Sequence, residues 1–189
     1  MQKNILITGA NRGIGLGFVE HYLTKNCNVI ATCRDPAKAN DLKELSKKYQ
    51  KFSISETNPN WINNAFQTNC LGAFYLIHNF KENLLKSANP IVINIASQAG
   101  SIEQTKAGFG YSYRISKAAL NMLTKTFAAE CPEIITISLR PGWVKTKMGG
   151  DNATMEISDS IQAMTNLIEN LHHKDSGKFL DDQGNIEQW

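Results

Sequence analysis

The chain has 189 residues, 42% hydrophobic and 20% charged, with 20 Lys and Arg against 17 Asp and Glu for a net charge of +3. That apolar content excludes a disordered tail, because a chain of this length can bury a sizeable core. Nothing approaches the ~18 consecutive apolar residues of a membrane span, and no basic block marks a nucleic-acid face.

The densest basic run, Lys43 to Lys51, is interleaved with Glu44 and apolar residues and reads as the solvated side of a helix. The four cysteines (Cys27, Cys33, Cys70, Cys131) form no CxxC pair and have no metal-ligand spacing, so reduced thiols and no metal are expected. His172 and His173 are adjacent and cannot share one helix face, so they read as solvent-exposed. The apolar start is broken by Asn11-Arg12-Gly13 with no cleavage site behind it, so no targeting segment is expected and the compartment is read as cytoplasmic.

In chain order, NILITG (Asn4–Gly9) is a short apolar run suited to a strand covered on both faces. A glycine-rich turn leads into IGLGFVEHYLTK with helical spacing, and NVIATC (Asn28–Cys33) is a second strand. Asp35 reads as an N-cap with Pro36 at the first helical position, opening the helix PAKANDLKELSKKYQ. KFSI begins a third strand that stops. The next segment places Trp61, Ala65, Phe66, Leu71, Phe74 and Ile77 at an approximately helical period. PIVINIAS (Pro90–Ser97) is a strand, and a polar loop follows to Gly110. Tyr111 to Glu130 is a helix, ITISL (Ile135–Leu139) a strand, RPGWVKTKMGG a loop, SDSIQAMTNLIENL a helix and GKFLDDQGNIEQW a last strand with a tail. Alternating strands and helices predict an α/β fold with a parallel sheet, and without repeats or a linker the whole of residues 1–189 reads as one domain.

TGANRGIG sets Gly9, Gly13 and Gly15 at the junction of the first strand and first helix. Glycines let a backbone approach a pyrophosphate closely, and the helix N-terminus offers free N–H groups and the positive end of a dipole. Strand two ends in Arg34, whose guanidinium suits a 2′-phosphate, and Arg12 within the turn supplies a second positive charge. Asp35, roughly 20 residues past the glycines, is the position an NAD-selecting acid would take. It is assigned here to capping, so NADP(H) is expected over NAD(H).

YSYRISKAALNMLTK carries Tyr113 and Lys117 four apart on one helix face. A phenol with pKa near ~10 exchanges protons poorly at neutral pH, and a neighbouring ammonium stabilises its anion. Ser97 ends the strand INIAS, Asn69 lies in FQTNCLG, and Arg140–Thr146 spells RPGWVKT.

In this order, glycine turn, Asn, Ser, Tyr-xxx-Lys and Pro-Gly, the chain resembles the short-chain dehydrogenase/reductase family. Within it, YRISKAALNMLTK, RPGWVKTKMGG and the ending GKFLDDQGNIEQW look like the C-factor and sniffer-like carbonyl reductases. The resemblance implies a Rossmann-like, doubly wound parallel sheet in three α/β/α layers, and an NADP(H)-dependent oxidoreductase interconverting a carbonyl and an alcohol. It makes Tyr113 the acid/base, with Lys117 lowering its pKa and holding the nicotinamide ribose. Ser97 would bond the substrate oxygen, and Asn69 would position a water of the proton relay. Gly9, Asn11, Arg12, Gly13, Ile14, Gly15 and Arg34 would bind the cofactor together with Tyr113 and Lys117. Pro141, Gly142, Val144 and Thr146 would hold its carboxamide end. The stretch from Met148 to about Ile157 would be a lid, and Phe109 and Trp143 pocket walls or core. The partner implied is a small-molecule carbonyl or alcohol, and the Asn69 and Tyr113 helices offer a homodimer face by analogy.

The family also carries an Asn-Asn-Ala-Gly motif on a fourth strand. Ile62-Asn63-Asn64-Ala65 is not that motif, because it stands five to six residues before Asn69 on the same helix and ends in Phe66 instead of glycine. Most of strand three, the next helix and strand four are therefore absent, with the break near Ile54–Ser55; one such strand–helix–strand unit is ~30 or more residues. Three explanations stand: a sequence joined across an omitted segment, a natural truncated or spliced product, or closure of strand one directly on strand five. The loss also motivates a rival reading, a non-enzymatic nucleotide-binding or signalling relic of the fold.

Overall fold

The computed structural model describes residues 4–41, 53–106, 108–146, 150 and 152–189. They fall into two compact units, residues 1–51 and 52–189.

In the first unit, β1 (Asn4–Ile7) pairs in parallel with β2 (Asn28–Ala31), Ile5 opposite Val29 and Ile7 opposite Ala31. A parallel pair needs a crossover, and α1 (Gly13–Thr24) supplies it. The residues of one sheet face, Ile5, Ile7, Val29 and Ala31, pack with Val19, Tyr22 and Leu23 of α1. Their alternates Leu6 and Ile30 point the other way and stay 65% and 60% exposed.

The second unit holds a parallel sheet in the order β3 (Ile91–Ile95), β4 (Ile135–Arg140), β5 (Phe179–Asp181). Its helices are α2 (Pro59–Phe66), α3 (Gly72–Leu84), α4 (Tyr111–Glu130) and α5 (Ile157–Glu169). Strand alternation divides the core. Ile91, Ile93, Ile135, Ile137 and Leu139 meet Met164, Leu167 and Ile168 of α5. Val92 on the opposite face joins Ile77 of α3 and Leu123 and Phe127 of α4. Asn94, on that same face, donates to Thr124 of α4 at 2.9 Å inside the core. The unit is thus a three-layer α/β/α arrangement with both sheet faces covered, and β4, buried from Ile135 through Leu139, is its centre. A parallel α/β architecture is what the alternating elements predict, and its Rossmann-like form is what the family resemblance implies.

Three local expectations change. Asp35 does cap: its Oδ1 accepts from the Ala37 N–H at 3.1 Å with Pro36 in first position, but the helix it opens there is a 3-10 turn, Pro36–Lys38. Of the predicted helix over residues 36–50, Asn40 and Asp41 are helical and 42–50 lie outside the described residues, as do Lys51 and Phe52 of the predicted third strand. Where that strand would continue, Ile54–Glu56 is a 3-10 turn, because Ser53 and Glu56 close a capping box on each other. Ile62–Ala65 is helical, within α2, as its spacing from Asn69 requires. Between α2 and α3 the helix widens into a π turn, Gln67–Leu71.

Candidate active site

The glycine turn lines a cleft of about 990 Å³ in the first unit, formed by Gly9, Asn11, Arg12, Gly13, Ile14 and Arg34 together with Asp35 and Lys38. Gly9 and Gly13 have φ of +62° and +55°, and a Cβ on Gly15 would overlap the Gly9 carbonyl oxygen. The turn therefore favours glycine at Gly9 and Gly13 and requires it at Gly15. No side chain caps α1 and its first turn holds no acid, so its leading N–H groups remain open to an anion. Arg12 and Arg34 bring positive charge to this cleft, while Lys38 leans on Asp35 at 3.5 Å. Lys38 is not among the residues the sequence motifs single out; its place one turn after the cap is the signal that points to it.

The second unit carries a cleft of about 730 Å³ that contains both Ser97 and Tyr113. Ser97 sits just beyond β3, where its Oγ accepts from the Ala99 N–H at 3.1 Å and starts the 3-10 turn Gln98–Gly100. That turn presses against α4: a Cβ on Gly100 would stand 2.8 Å from the Lys117 carbonyl carbon, closer than packed atoms tolerate. The close approach holds the serine loop against the turn of α4 that bears Tyr113 and Lys117. Lys117 extends its ammonium over the Tyr113 ring, 5.7 Å from the centroid, and donates to the Ile95 carbonyl at 2.7 Å. Burial pushes the Lys117 ammonium below its ordinary pKa.

The loop after β4 completes the cleft with Pro141, Gly142, Trp143, Val144 and Thr146. Ser160 of α5 ties it down by donating to the Pro141 carbonyl at 2.6 Å. Residues 143–145 are further bridged to Met155, whose carbonyl accepts from Lys145 N–H at 2.8 Å. Of the expected lid, Gly150 and 152–157 are described, whereas Met148 lies outside the described residues.

Asn69 and Lys117 are not among the cleft-lining residues. Asn69, in the π turn, donates through Nδ2 to Ser116 Oγ at 3.0 Å, and that hydroxyl donates to the Tyr113 carbonyl at 2.8 Å. It thereby braces the first turns of α4 from behind. Phe109 does not line the cleft; its carbonyl accepts from Arg114 Nε at 2.8 Å. Arg114, Gln104 and Arg140, all unassigned from sequence, do line it. Their positions, beside Tyr113 and just before Pro141, are visible in the sequence, but the direction of their side chains is not. Arg140 is held from behind by Glu187 at 2.5 Å and Asp181 at 3.7 Å. Among the described residues no cluster of His, Cys, Asp and Glu is suited to a metal, and no helix is long and apolar enough to cross a membrane.

Residues 48–157 match the family model of the short chain dehydrogenases. C-signal of Myxococcus xanthus is 37% identical over 127 residues, 66% of this chain and 76% of that protein. Among solved structures, the carbonyl reductase Sniffer of D. melanogaster superposes with a TM-score of 0.72 at 27% identity, covering 100% of both chains. The NADPH-bound carbonyl reductase from chicken fatty liver gives 0.69 at 32% identity, covering 100% of this chain and 99% of that one. Alignments with fungal oxidoreductases over 97% of both partners run to 245 positions against 189 residues here, so those relatives carry more than fifty residues without a counterpart. That surplus is of the size expected for the absent strand–helix–strand segment. With its parallel α/β fold, a Tyr-xxx-Lys helix beside a strand-end serine, and this family match, the chain belongs to the short-chain dehydrogenase family and is an oxidoreductase.

Proposed function

We propose that the chain is an NADP(H)-dependent carbonyl reductase acting as a single dinucleotide-binding domain. One observation carries the reading: the Ser97 and Tyr113 side chains belong to one cleft, with the Lys117 ammonium over the Tyr113 ring. A bound reduced nicotinamide would supply the hydride. Tyr113 would give its phenolic proton to the carbonyl oxygen, and Ser97 would donate a hydrogen bond to the same atom. Lys117, a cation near the ring, favours the phenolate left behind. Asn69 acts as a positioning residue for that helix turn and for a relay water.

The glycine turn suits a dinucleotide in three respects: backbone conformations that favour glycine, an uncapped helix start, and two arginines on its cleft. Gly9, Asn11, Gly13 and Ile14 would face the diphosphate with Gly15 packed close behind Gly9, and Arg12 and Arg34 would face the 2′-phosphate that selects NADP over NAD. Pro141, Gly142, Val144 and Thr146 would receive the carboxamide end. The carbonyl reductase from chicken fatty liver is NADPH-bound, which supports this choice.

The test is a titration with NADPH and NADH, followed by the fluorescence of Trp61, Trp143 and Trp189, with NADPH oxidation measured on a simple aryl ketone. Tighter binding of NADPH and ketone-dependent oxidation are expected. Absence of binding at millimolar cofactor would overturn the reading and favour the relic, whose motive is the shortened segment near Ile54.

A further inference from the structure

The walls of the Ser97–Tyr113 cleft are chemically unequal. Part of the lining is apolar: Ile157, Ile161 and Met164 follow one another on a single face of α5, and Trp143 lines the cleft with them. Ile157, Ile161 and Trp143 are 55%, 54% and 53% exposed, which is large for such side chains. Another part is cationic. Lys106, Arg114 and Arg140 line the cleft, and no Asp or Glu does so among the described residues.

The three cations differ in how far they are neutralised. Arg140 is paired with Glu187 and Asp181, neither of which lines the cleft. Arg114 spends only Nε, on the Phe109 carbonyl, and its guanidinium is steadied 5.6 Å above the Phe109 ring. That leaves the fork of terminal N–H groups oriented with no acidic partner among the described residues. Lys106 is exposed and likewise forms no ion pair among them. Two uncompensated cations on a cleft with a low-dielectric wall attract anions, and a guanidinium fixed at one edge matches a carboxylate.

We propose that this cleft takes an amphipathic carbonyl compound bearing a carboxylate, with Arg114 and Lys106 as specificity-determining residues and the Trp143–Ile157–Ile161 wall holding the apolar body. The assignment of the reacting group rests on the carbonyl reductase reading above. The carbonyl carbon gains a hydride and its oxygen a proton, NADPH is oxidised to NADP+, and the carboxylate is unchanged.

The experiment compares 4-oxo-4-phenylbutanoate with its methyl ester, which keeps the ketone and the aromatic body and removes the charge. Calorimetric titration of the intact chain is expected to give about tenfold tighter binding of the acid, the scale of one charge-assisted hydrogen bond. The preference should shrink as salt is raised. Lys106→Gln, at an exposed position that leaves packing intact, should reduce it about threefold, and Lys106→Gln with Arg114→Gln should bring it near one. Equal affinities for acid and ester overturn the proposal, as does a preference unchanged in Lys106→Gln and in the double variant. Loss of NADPH affinity with the acid preference intact also overturns it, by assigning these cations to the cofactor. NADPH oxidation in the same samples separates the two levels. Acid preference without oxidation supports the subsite and removes the reductase reading; oxidation without acid preference removes the subsite and leaves that reading.

Discussion

The two units bury their sheets to very different degrees. Among the described residues of the first, α1 packs on one face of a two-stranded ladder, and Ile7, Ala10 and Val19 form its buried cluster while Leu6 and Ile30 remain largely exposed. In the second, helices cover both faces and Ile137 and Leu139 are fully enclosed. The difference teaches where rigidity is available. Proton transfer needs groups held within a fraction of an ångström, and Ser97, Tyr113 and Lys117 stand on the doubly covered sheet and the long helix packed on it. Phosphate binding asks less: open backbone N–H groups at a helix start and long cationic side chains tolerate looser placement.

Several substitutions would break or sharpen this contrast. The largest effect is expected for Tyr113→Phe, a fall in kcat of about 10²–10⁴-fold with NADPH binding retained; steady-state NADPH oxidation measures it, and retained turnover would take Tyr113 out of its role. Ile137→Ala, in the enclosed centre of the sheet, should cost about 2–5 kcal/mol in urea unfolding. Arg34→Ala should lower the preference for NADPH over NADH about tenfold, read from the two dissociation constants, while leaving unfolding unchanged. A smaller signal comes from Lys117. Burial lowers its pKa, so between that lowered value and the ordinary 10.5 the unfolded chain binds the proton and the folded chain does not. Stability from this group therefore rises with pH across that window, and Lys117→Met should flatten the rise in urea midpoints. Least of all, Leu6→Ser should change stability by no more than about 0.5 kcal/mol, because its side chain is already 65% exposed. A loss as large as that of Ile137→Ala would erase the contrast.

Much of the molecule is legible along the chain. The helix Tyr111–Glu130 lies where its periodicity puts it, and Asn63-Asn64 is helical because a five-residue separation from Asn69 leaves no room for a strand, loop and new helix. The π turn Gln67–Leu71 has no such signal: Phe66 and the buried Cys70 keep ordinary four-residue helical spacing. KFSI is apolar enough for β structure, which is why a short third strand is expected there. From Ser53 onward the Ser53–Glu56 capping box, a local pairing of side chain with backbone, outweighs that preference.

By itself the sequence determined the order of elements, the glycine-rich turn, the serine at a strand end and the phenol and amine one turn apart, since these follow from local periodicity and backbone sterics. Tertiary structure alone decided that Ser97 and Tyr113 share a cleft, that Lys117 reaches the Ile95 carbonyl, that Asn69 braces Ser116, and that Arg114 turns its guanidinium to the cleft wall. The side-chain contacts among these join residues up to 47 positions apart, whereas for Arg114 the structure gives its place in the cleft lining and its bond to Phe109. They depend on how the helices pack on the sheet, which no local pattern encodes.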